Sequence, residues 1–209
     1  MPQPPRPARS PAFHATPAAH VTGKSKLAEG RVRIIGGAWR SRVLRFPGLP
    51  GLRPTSDRVR ETLFNWLDQD LTGKVCLDLF AGSGALGFEA LSRNAASVVM
   101  IESDARVRAA LSHNAAALQA TPRLKIGAGD ALQFLHTCGP VFDVIFCDPP
   151  FREDWFARLW PGLRAALTPT GMVYAESGSP LQPPPPFGVV KSGKAGQAFF
   201  QLLKADQHG

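Results

Sequence analysis

The stretch VCLDLFAGSGALG, residues 75–87, decides the fold of this chain. It begins as an apolar strand, turns at Gly82 and Gly84, and continues as a helix. Together with Gly87 these glycines match the spacing G-x-G-x-x-G, which lets the backbone approach a ligand closely. Glu102 lies 18 residues past Gly84, after the second predicted strand, where an acid can bind both hydroxyls of a ribose. The stretch therefore predicts a parallel α/β sheet that binds a nucleoside-containing cofactor.

Alternating apolar strands and helices surround this stretch and extend the predicted sheet. We predict strands at about 74–79, 97–102, 123–128, 142–147 and 170–176, and helices near 84–93, 104–119, 130–136 and 153–166. Such alternation is typical of a parallel sheet with helices on both faces. Residues 187–190 and 197–203 can add a closing antiparallel pair.

The acid that precedes the glycine loop bears on which cofactor binds. Asp78 would repel the pyrophosphate of a dinucleotide, whereas S-adenosylmethionine carries an ammonium and a sulfonium that suit a carboxylate. Asp130 follows another strand and can bond an adenine amino group. Each acid alone is more often a helix cap or a turn former, and a nicotinamide or flavin cofactor stays a rival. The predicted cofactor-binding residues are Asp78, Phe80, Ala81, Gly82, Ser83, Gly84, Glu102, Ser103, Asp130 and Ala131.

The tetrad Asp148-Pro149-Pro150-Phe151 follows the apolar run 144–147 and supplies the predicted catalytic residues. Two prolines stop a strand, and at the carboxyl edge of a parallel sheet such residues face the ligand crevice. Asp148 and a Pro149 carbonyl can accept hydrogen bonds from an exocyclic amine, while Phe151 can stack on its ring. The tetrad thus predicts methylation of a nucleobase amine, with adenine, guanine, cytosine, DNA and RNA all open. Whether Asp148 takes the proton or only accepts a hydrogen bond is also open, and a plain turn is the alternative.

Positive charge is concentrated near the N-terminus. Residues 1–60 hold 12 of the 24 Lys and Arg residues but only two acids, a net charge of +10 against +8 for the whole chain. This asymmetry favours a polyanionic partner, most simply nucleic acid, over a solvated tail without a partner. We divide the chain into a disordered, basic, Pro- and Ala-rich tail at 1–30, a basic hairpin and helix at 31–70, and the catalytic domain at 71–209.

Other classes of protein receive no support from the sequence. Cys76, Cys138 and Cys147 form no C-x-x-C pair, so neither a disulfide framework nor a metal site is expected. No run of about 18 apolar residues occurs, so no membrane association is expected. Cysteines in predicted buried strands fit a reducing cytoplasm.

Several motifs together resemble the RsmD family of small-subunit ribosomal RNA guanine-N2 methyltransferases. The matching segments are Arg33-Ile-Ile-Gly-Gly37 with Trp39-Arg40, Leu52-Arg-Pro-Thr55, Asp57 to Trp66, Leu79 to Gly87 and Gly193 to Gln197, within residues 31–204. Two features depart from the family pattern: the Pro-rich N-terminus, and the apolar segment 198–201, where a more polar strand with Tyr is expected.

The resemblance implies a Rossmann-like class I methyltransferase fold of seven strands, preceded here by the N-terminal hairpin. It implies S-adenosylmethionine as cofactor and, as substrate, one guanine of 16S rRNA, in the small ribosomal subunit or its assembly intermediate. We expect a cytoplasmic monomer. The RNA-binding residues expected from this resemblance are Arg33, Arg40, Arg53, Thr55, Arg58 and Arg60. The alternatives are an adenine-N6 methyltransferase of DNA or RNA, an NAD(P)-dependent oxidoreductase, and an inactive RNA-binding assembly factor.

Overall fold

A computed structural model describes residues 29–150 and 154–205 of the chain. Phe151 and residues 1–28 of the predicted tail lie outside these ranges. The strands are β1 Glu29–Arg33, β2 Val43–Pro47, β3 Val75–Asp78, β4 Ser97–Glu102, β5 Leu124–Ala128, β6 Phe142–Cys147, β7 Leu167–Ser177, β8 Phe187–Ala195 and β9 Ala198–Ala205. The α-helices are α1 Asp57–Trp66, α2 Ala85–Ser92, α3 Ala105–Ala117, α4 Ala131–Thr137 and α5 Trp155–Ala166.

Seven strands form one sheet in the order β5-β4-β3-β6-β7-β9-β8. The strands from β5 to β7 run parallel to one another, and β9 lies antiparallel between β7 and β8. The chain moves outward from β3 to β5 and then returns to the other side of β3 as β6. The carboxyl ends of β3 and β6 therefore flank the topological switch point, where open α/β sheets bind ligands.

Each face of the sheet has its own hydrophobic core. The first core packs α1, α2, α3 and the β1–β2 hairpin against one face, and its buried members include Phe64, Phe88 and Phe146. The second packs α4 and α5 against the other face, around Ile145 and Leu163. The predicted parallel sheet with helices on both faces is confirmed.

The hairpin and the closing strands refine the boundaries drawn from the sequence. Strand β1 begins at Glu29, inside the segment assigned to the tail, and pairs with β2 over five residues. The predicted closing pair is present and longer than expected. The apolar segment 198–201 has a structural role in β9, because Phe200 packs on Trp66 of α1 with ring centroids 5.3 Å apart.

Candidate active site

Two carboxylates at neighbouring strand ends mark the centre of the site. Asp78 is the last residue of β3 and pairs with Phe146 of β6, two positions before Asp148. The backbone N–H of Leu79 donates to the carbonyl of Phe146 at 3.0 Å, which holds the two strand ends together beyond the sheet. The glycine loop and the tetrad are separate motifs in the sequence. Because they follow the ends of β3 and β6, their first residues lie side by side in the structure.

The glycine loop has the geometry that its glycines predict. Gly84 caps α2 with a φ of 76°, and its N–H donates to the carbonyl of Ala81 at 2.7 Å. A Cβ at this position would lie 2.6 Å from Leu111, so a larger residue would be both strained and crowded. The N–H of Gly82 donates to Glu102 Oε2 at 3.0 Å. The structure thus brings the loop and the acid of the second strand into direct contact.

Asp78 is a buried acid that accepts one hydrogen bond from the residues that the structure describes. Its side chain is only 3% exposed, and Oδ2 accepts from the N–H of Gly87 at 3.0 Å. Burial raises the pKa of Asp78 to about 7, Gly87 opposes the rise, and the nearby Glu102 charge adds to it. A carboxyl group held in this way binds a cation favourably, since a positive charge offsets the cost of ionising it in a buried place.

The surroundings of the loop also fit S-adenosylmethionine. Phe80 meets the ring of Trp155 edge-on at 5.3 Å, which builds an apolar wall. The buried indole N–H of Trp155 has no acceptor within residues 29–150 and 154–205, so a donor is free beside the loop. Asp130 caps α4 through one oxygen and lies exposed at the end of β5, while its second oxygen accepts no bond from the described residues. An apolar wall, an indole N–H donor and a carboxylate oxygen therefore surround the loop.

The tetrad is held by the N-terminal motif. The hydroxyl of Thr55 donates a long hydrogen bond of 3.4 Å to Asp148 Oδ2. Asp148 is half-buried, Pro149 is buried and Pro150 is exposed. Burial first, and then the charges of Glu176 and Asp78, raise the pKa of Asp148 well above its usual range. In its ionised form a carboxylate with a raised pKa is a stronger base than an ordinary aspartate.

Two residues of β7 belong to the site and were missed from the sequence. Glu176 is only 8% exposed, and its Oε2 accepts a hydrogen bond of 2.9 Å from the hydroxyl of the fully buried Tyr174. Burial raises the pKa of Glu176, and the Tyr174 hydroxyl opposes that rise. The signal was present, because Glu176 is an acid at the end of a predicted strand, as Asp78 and Glu102 are.

A basic pocket lies on the hairpin beside Thr55. Its volume is about 470 Å³, and it is lined by Arg31, Val32, Arg33, Val43, Arg45 and residues 54–57. Arg33 donates to Asp57 at 2.8 Å across its rim. Arg53 and Arg58 are exposed. The predicted RNA-binding residues Arg33 and Thr55 therefore border one surface that begins at the tetrad.

The prediction that Arg60 contacts RNA is wrong. Its side chain is completely buried and forms ion pairs with Glu89 at 3.1 Å and Asp57 at 2.7 Å. The same guanidinium donates to the backbone carbonyls of Arg33 and Thr55. Arg60 therefore fastens the N-terminal segment to α2, and no part of it is available to a ligand.

Arg40 is not brought to the active site. It lies in the turn of the hairpin, where Ala38 and Trp39 donate to Ser92 at the end of α2. Because α2 begins at the carboxyl edge of the sheet, its end lies toward the amino edge, away from Asp148. The side chain is exposed, but it does not share a surface with the tetrad.

No cluster of three or more His, Cys, Asp or Glu side chains suited to a metal ion occurs in the described part of the chain. Among the same residues, no helix has the length and apolarity needed to cross a bilayer.

The strand order, the glycine loop and the acids at the ends of β3, β4 and β6 define a class I S-adenosylmethionine-dependent methyltransferase. A family model described as conserved hypothetical protein 95 matches residues 32–204. The chain belongs to this family, and its resemblance to the RsmD proteins is confirmed.

Relatives from two bacteria support this assignment. The chain is 42% identical over 186 residues to ribosomal RNA small subunit methyltransferase D of Escherichia coli strain K12, a match covering 86% of this chain and 93% of that protein. It is 40% identical over 184 residues to the protein of the same name from Haemophilus influenzae, covering 85% and 95%. The solved structure of yhhF from Escherichia coli aligns with a TM-score of 0.76 and 41% identity, covering 85% and 99%. The nicotinamide oxidoreductase alternative is therefore wrong.

Proposed function

We propose that the protein transfers a methyl group from S-adenosylmethionine to the exocyclic N2 of one guanine in 16S rRNA. The observation that carries this proposal is the contact between Thr55 and Asp148. Thr55 belongs to the motif that most specifically resembles the ribosomal RNA enzymes, and Asp148 belongs to the tetrad suited to an exocyclic amine. This hydrogen bond thus joins the N-terminal motif, whose resemblance indicates the substrate class, to the tetrad proposed to carry out methyl transfer.

The cofactor residues act by charge and by shape. S-adenosylmethionine supplies a methyl group on a positively charged sulfur and leaves as the neutral thioether. Asp78 offers a buried carboxylate to its ammonium group, and Glu102 and Asp130 offer acceptors to its ribose hydroxyls and adenine amine. The glycine loop keeps side chains out of the space between these acids.

The target amine is a weak nucleophile because its lone pair is conjugated into the ring. An N–H bond that donates to Asp148 moves electron density onto nitrogen, and a second that donates to the Pro149 carbonyl fixes the plane of the amine. When nitrogen gains the methyl group it loses one proton, and the ionised carboxylate of Asp148, which holds the amine, accepts that proton. Most of the remaining rate enhancement then comes from alignment of the reacting atoms.

The RNA side of the site is the basic pocket and the exposed arginines next to it. Arg33, Arg53 and Arg58 offer guanidinium groups to phosphates. Arg33 is paired with the half-buried acid Asp57, which keeps Arg60 as a second partner, and a phosphate can replace Asp57 at the exposed Arg33 at little cost, since pairs of this kind contribute little stability. We place the reaction in the cytoplasm, on the small ribosomal subunit or its assembly intermediate.

The test is methyl transfer with labelled S-adenosylmethionine on three substrates: small ribosomal subunits, naked 16S rRNA and DNA. The RNA comes from a strain that lacks the gene, and nucleosides are identified by mass spectrometry. We expect N2-methylguanosine in 16S rRNA alone. Label found only as N6-methyladenosine would refute the proposal in favour of the adenine alternative.

Two variants of strand β6 serve as a matched pair in the same assay. Asp148→Asn removes the proton acceptor and should abolish transfer. Asp143→Asn changes the same residue type at the other end of the strand, where the side chain meets Val75 and Thr168, and should retain transfer. The same variant can be expressed in a strain that lacks the gene. If Asp148→Asn restored the modified guanine there, the catalytic role would be refuted, and the protein would instead be an inactive assembly factor.

A further inference from the structure

Asp148 and Glu176 are neighbours across two parallel strands. The last pair in the register of β6 and β7 is Cys147 with Ala175, so Asp148 and Glu176 follow one position beyond. Paired residues of parallel strands lie about 4.8 Å apart and point to the same face. Phe146 and Tyr174, two positions earlier, both belong to the core on the α1 side, which places the two acids on that side too.

Each of the two carboxylates has one oxygen engaged and one oxygen free. Asp148 Oδ2 accepts from Thr55, and Glu176 Oε2 accepts from Tyr174. No donor within residues 29–150 and 154–205 reaches Asp148 Oδ1 or Glu176 Oε1. The site therefore has two adjacent acceptor oxygens, on Asp148 and Glu176, and each carboxylate is oriented by a hydroxyl group. A ligand with two adjacent hydrogen-bond donors is complementary to this arrangement.

Of the purines, guanine has this pattern next to its exocyclic amine. Its N1–H and N2–H point in the same direction from one edge, whereas N1 of adenine or 2-aminopurine is itself an acceptor. We propose that Glu176 selects guanine by accepting its N1–H while Asp148 accepts an N2–H. This inference rests on the proposed function and adds the residue that chooses the base, a choice that the tetrad alone leaves open.

The surroundings of Glu176 strengthen this discrimination. Glu176 pairs in register with Phe200 of β9, which packs on Trp66. A carboxylate with little access to water cannot exchange a missing N–H donor for solvent, so a base with a lone pair at N1 leaves it unsatisfied and repelled. Sites built to hydrogen-bond a substrate group reject analogues without it far more strongly than apolar pockets reject a change of size.

The test replaces the target guanine by 2-aminopurine, which keeps the N2 amine but has an acceptor at N1. The guanine is first located by the nucleoside analysis described above, and small subunits are then reconstituted with a ligated 16S rRNA carrying either base. Wild-type protein should prefer guanine by about 100-fold or more in kcat/KM. Glu176→Gln can turn its amide N–H toward N1, so the preference should fall at least tenfold.

The controls separate the possible failures. Asp143→Asn should keep the wild-type preference. No transfer to guanine by wild-type protein would refute the proposed function itself. If the protein methylates guanine but Glu176→Gln leaves the preference for guanine over 2-aminopurine unchanged, only the inference is overturned. Asp148 alone would then accept both N–H groups. If Glu176→Gln does not fold, Tyr174→Phe removes only the hydroxyl that orients Glu176; the preference should then fall several-fold, and an unchanged value overturns the inference.

Discussion

Replacing the buried acid Asp78 by Asn should stabilise the protein without cofactor, and the stabilisation should increase as the pH rises from about 4 to about 7. Burial raises the pKa of Asp78 from 3.8 to about 7. Each pKa unit corresponds to about 1.4 kcal/mol, so the rise corresponds to about 4 kcal/mol of folding free energy. Asn has the same shape and can still accept the N–H of Gly87, so it removes the charge with little change in packing.

The sign follows from where each state loses its proton. Below about pH 4 both the folded and the unfolded protein hold the Asp78 proton, and its burial as a neutral group costs no ionisation. Between about pH 4 and 7 the unfolded chain loses the proton while the folded protein keeps it, so wild-type stability falls as pH rises. Asp78→Asn lacks this titration, and its advantage over wild type should grow over the same interval.

Urea unfolding of both proteins at several pH values between 4 and 8 measures this difference, in which the other titrating groups cancel. We expect the difference in free energy of unfolding to increase by up to about 4 kcal/mol toward pH 8. Calorimetry should show weaker binding of S-adenosylmethionine, because the amide carries no charge for the ammonium. A difference in stability that does not depend on pH would refute the argument that Asp78 is buried as an acid.

Three further predictions concern the N-terminal motif and the paired acids. Arg60→Met should lower the free energy of unfolding by about 3–5 kcal/mol, because it removes one of the two cations paired with the buried Glu89 and leaves the carbonyls of Arg33 and Thr55 without their donor; Arg58→Met, exposed on the same helix, should change it by no more than about 0.5 kcal/mol in the same urea titration. Thr55→Val should lower turnover about tenfold with unchanged cofactor affinity by calorimetry, since only the donor to Asp148 is lost; equal losses in both would contradict this role. Glu176→Gln removes a charge that raises the pKa of Asp148, so the acid limb of the turnover–pH profile should move to lower pH. An acid limb that does not move would contradict the proximity of Glu176 to Asp148.

The sheet and the cofactor loop could be predicted because their signals are local. Strand β6, for example, contains the continuous apolar run 144–147, and the parallel arrangement of the strands follows from their alternation with helices. Gly84 is required by a left-handed backbone conformation within the loop itself, which a single residue type reveals. Asp148 is identified by the prolines that follow it.

The rest depended on contacts between distant segments. Arg60 and Arg58 are both arginines two positions apart in a basic motif, yet one is buried and the other exposed, and charge counts do not distinguish them. Glu176 lies 28 residues after Asp148 in sequence, and only the register of β6 with β7 makes them neighbours. The role of Phe151 and the division of the chain into three segments stay predictions.

Glu89, at the middle of α2, has a consequence for how this enzyme can be rebuilt. Its fully buried carboxylate accepts from the backbone N–H groups of Ile35 and Gly36 and pairs with Arg60 and Arg93. The hairpin is thus hydrogen-bonded to α2, the helix that begins at the cofactor loop, and cannot be exchanged without disturbing that helix. A shortened enzyme that begins after the hairpin would keep Glu89 in the interior with half of its partners gone. Chimaeras that exchange the hairpin between relatives should therefore place the junction after α2, so that the hairpin and α2 come from the same protein.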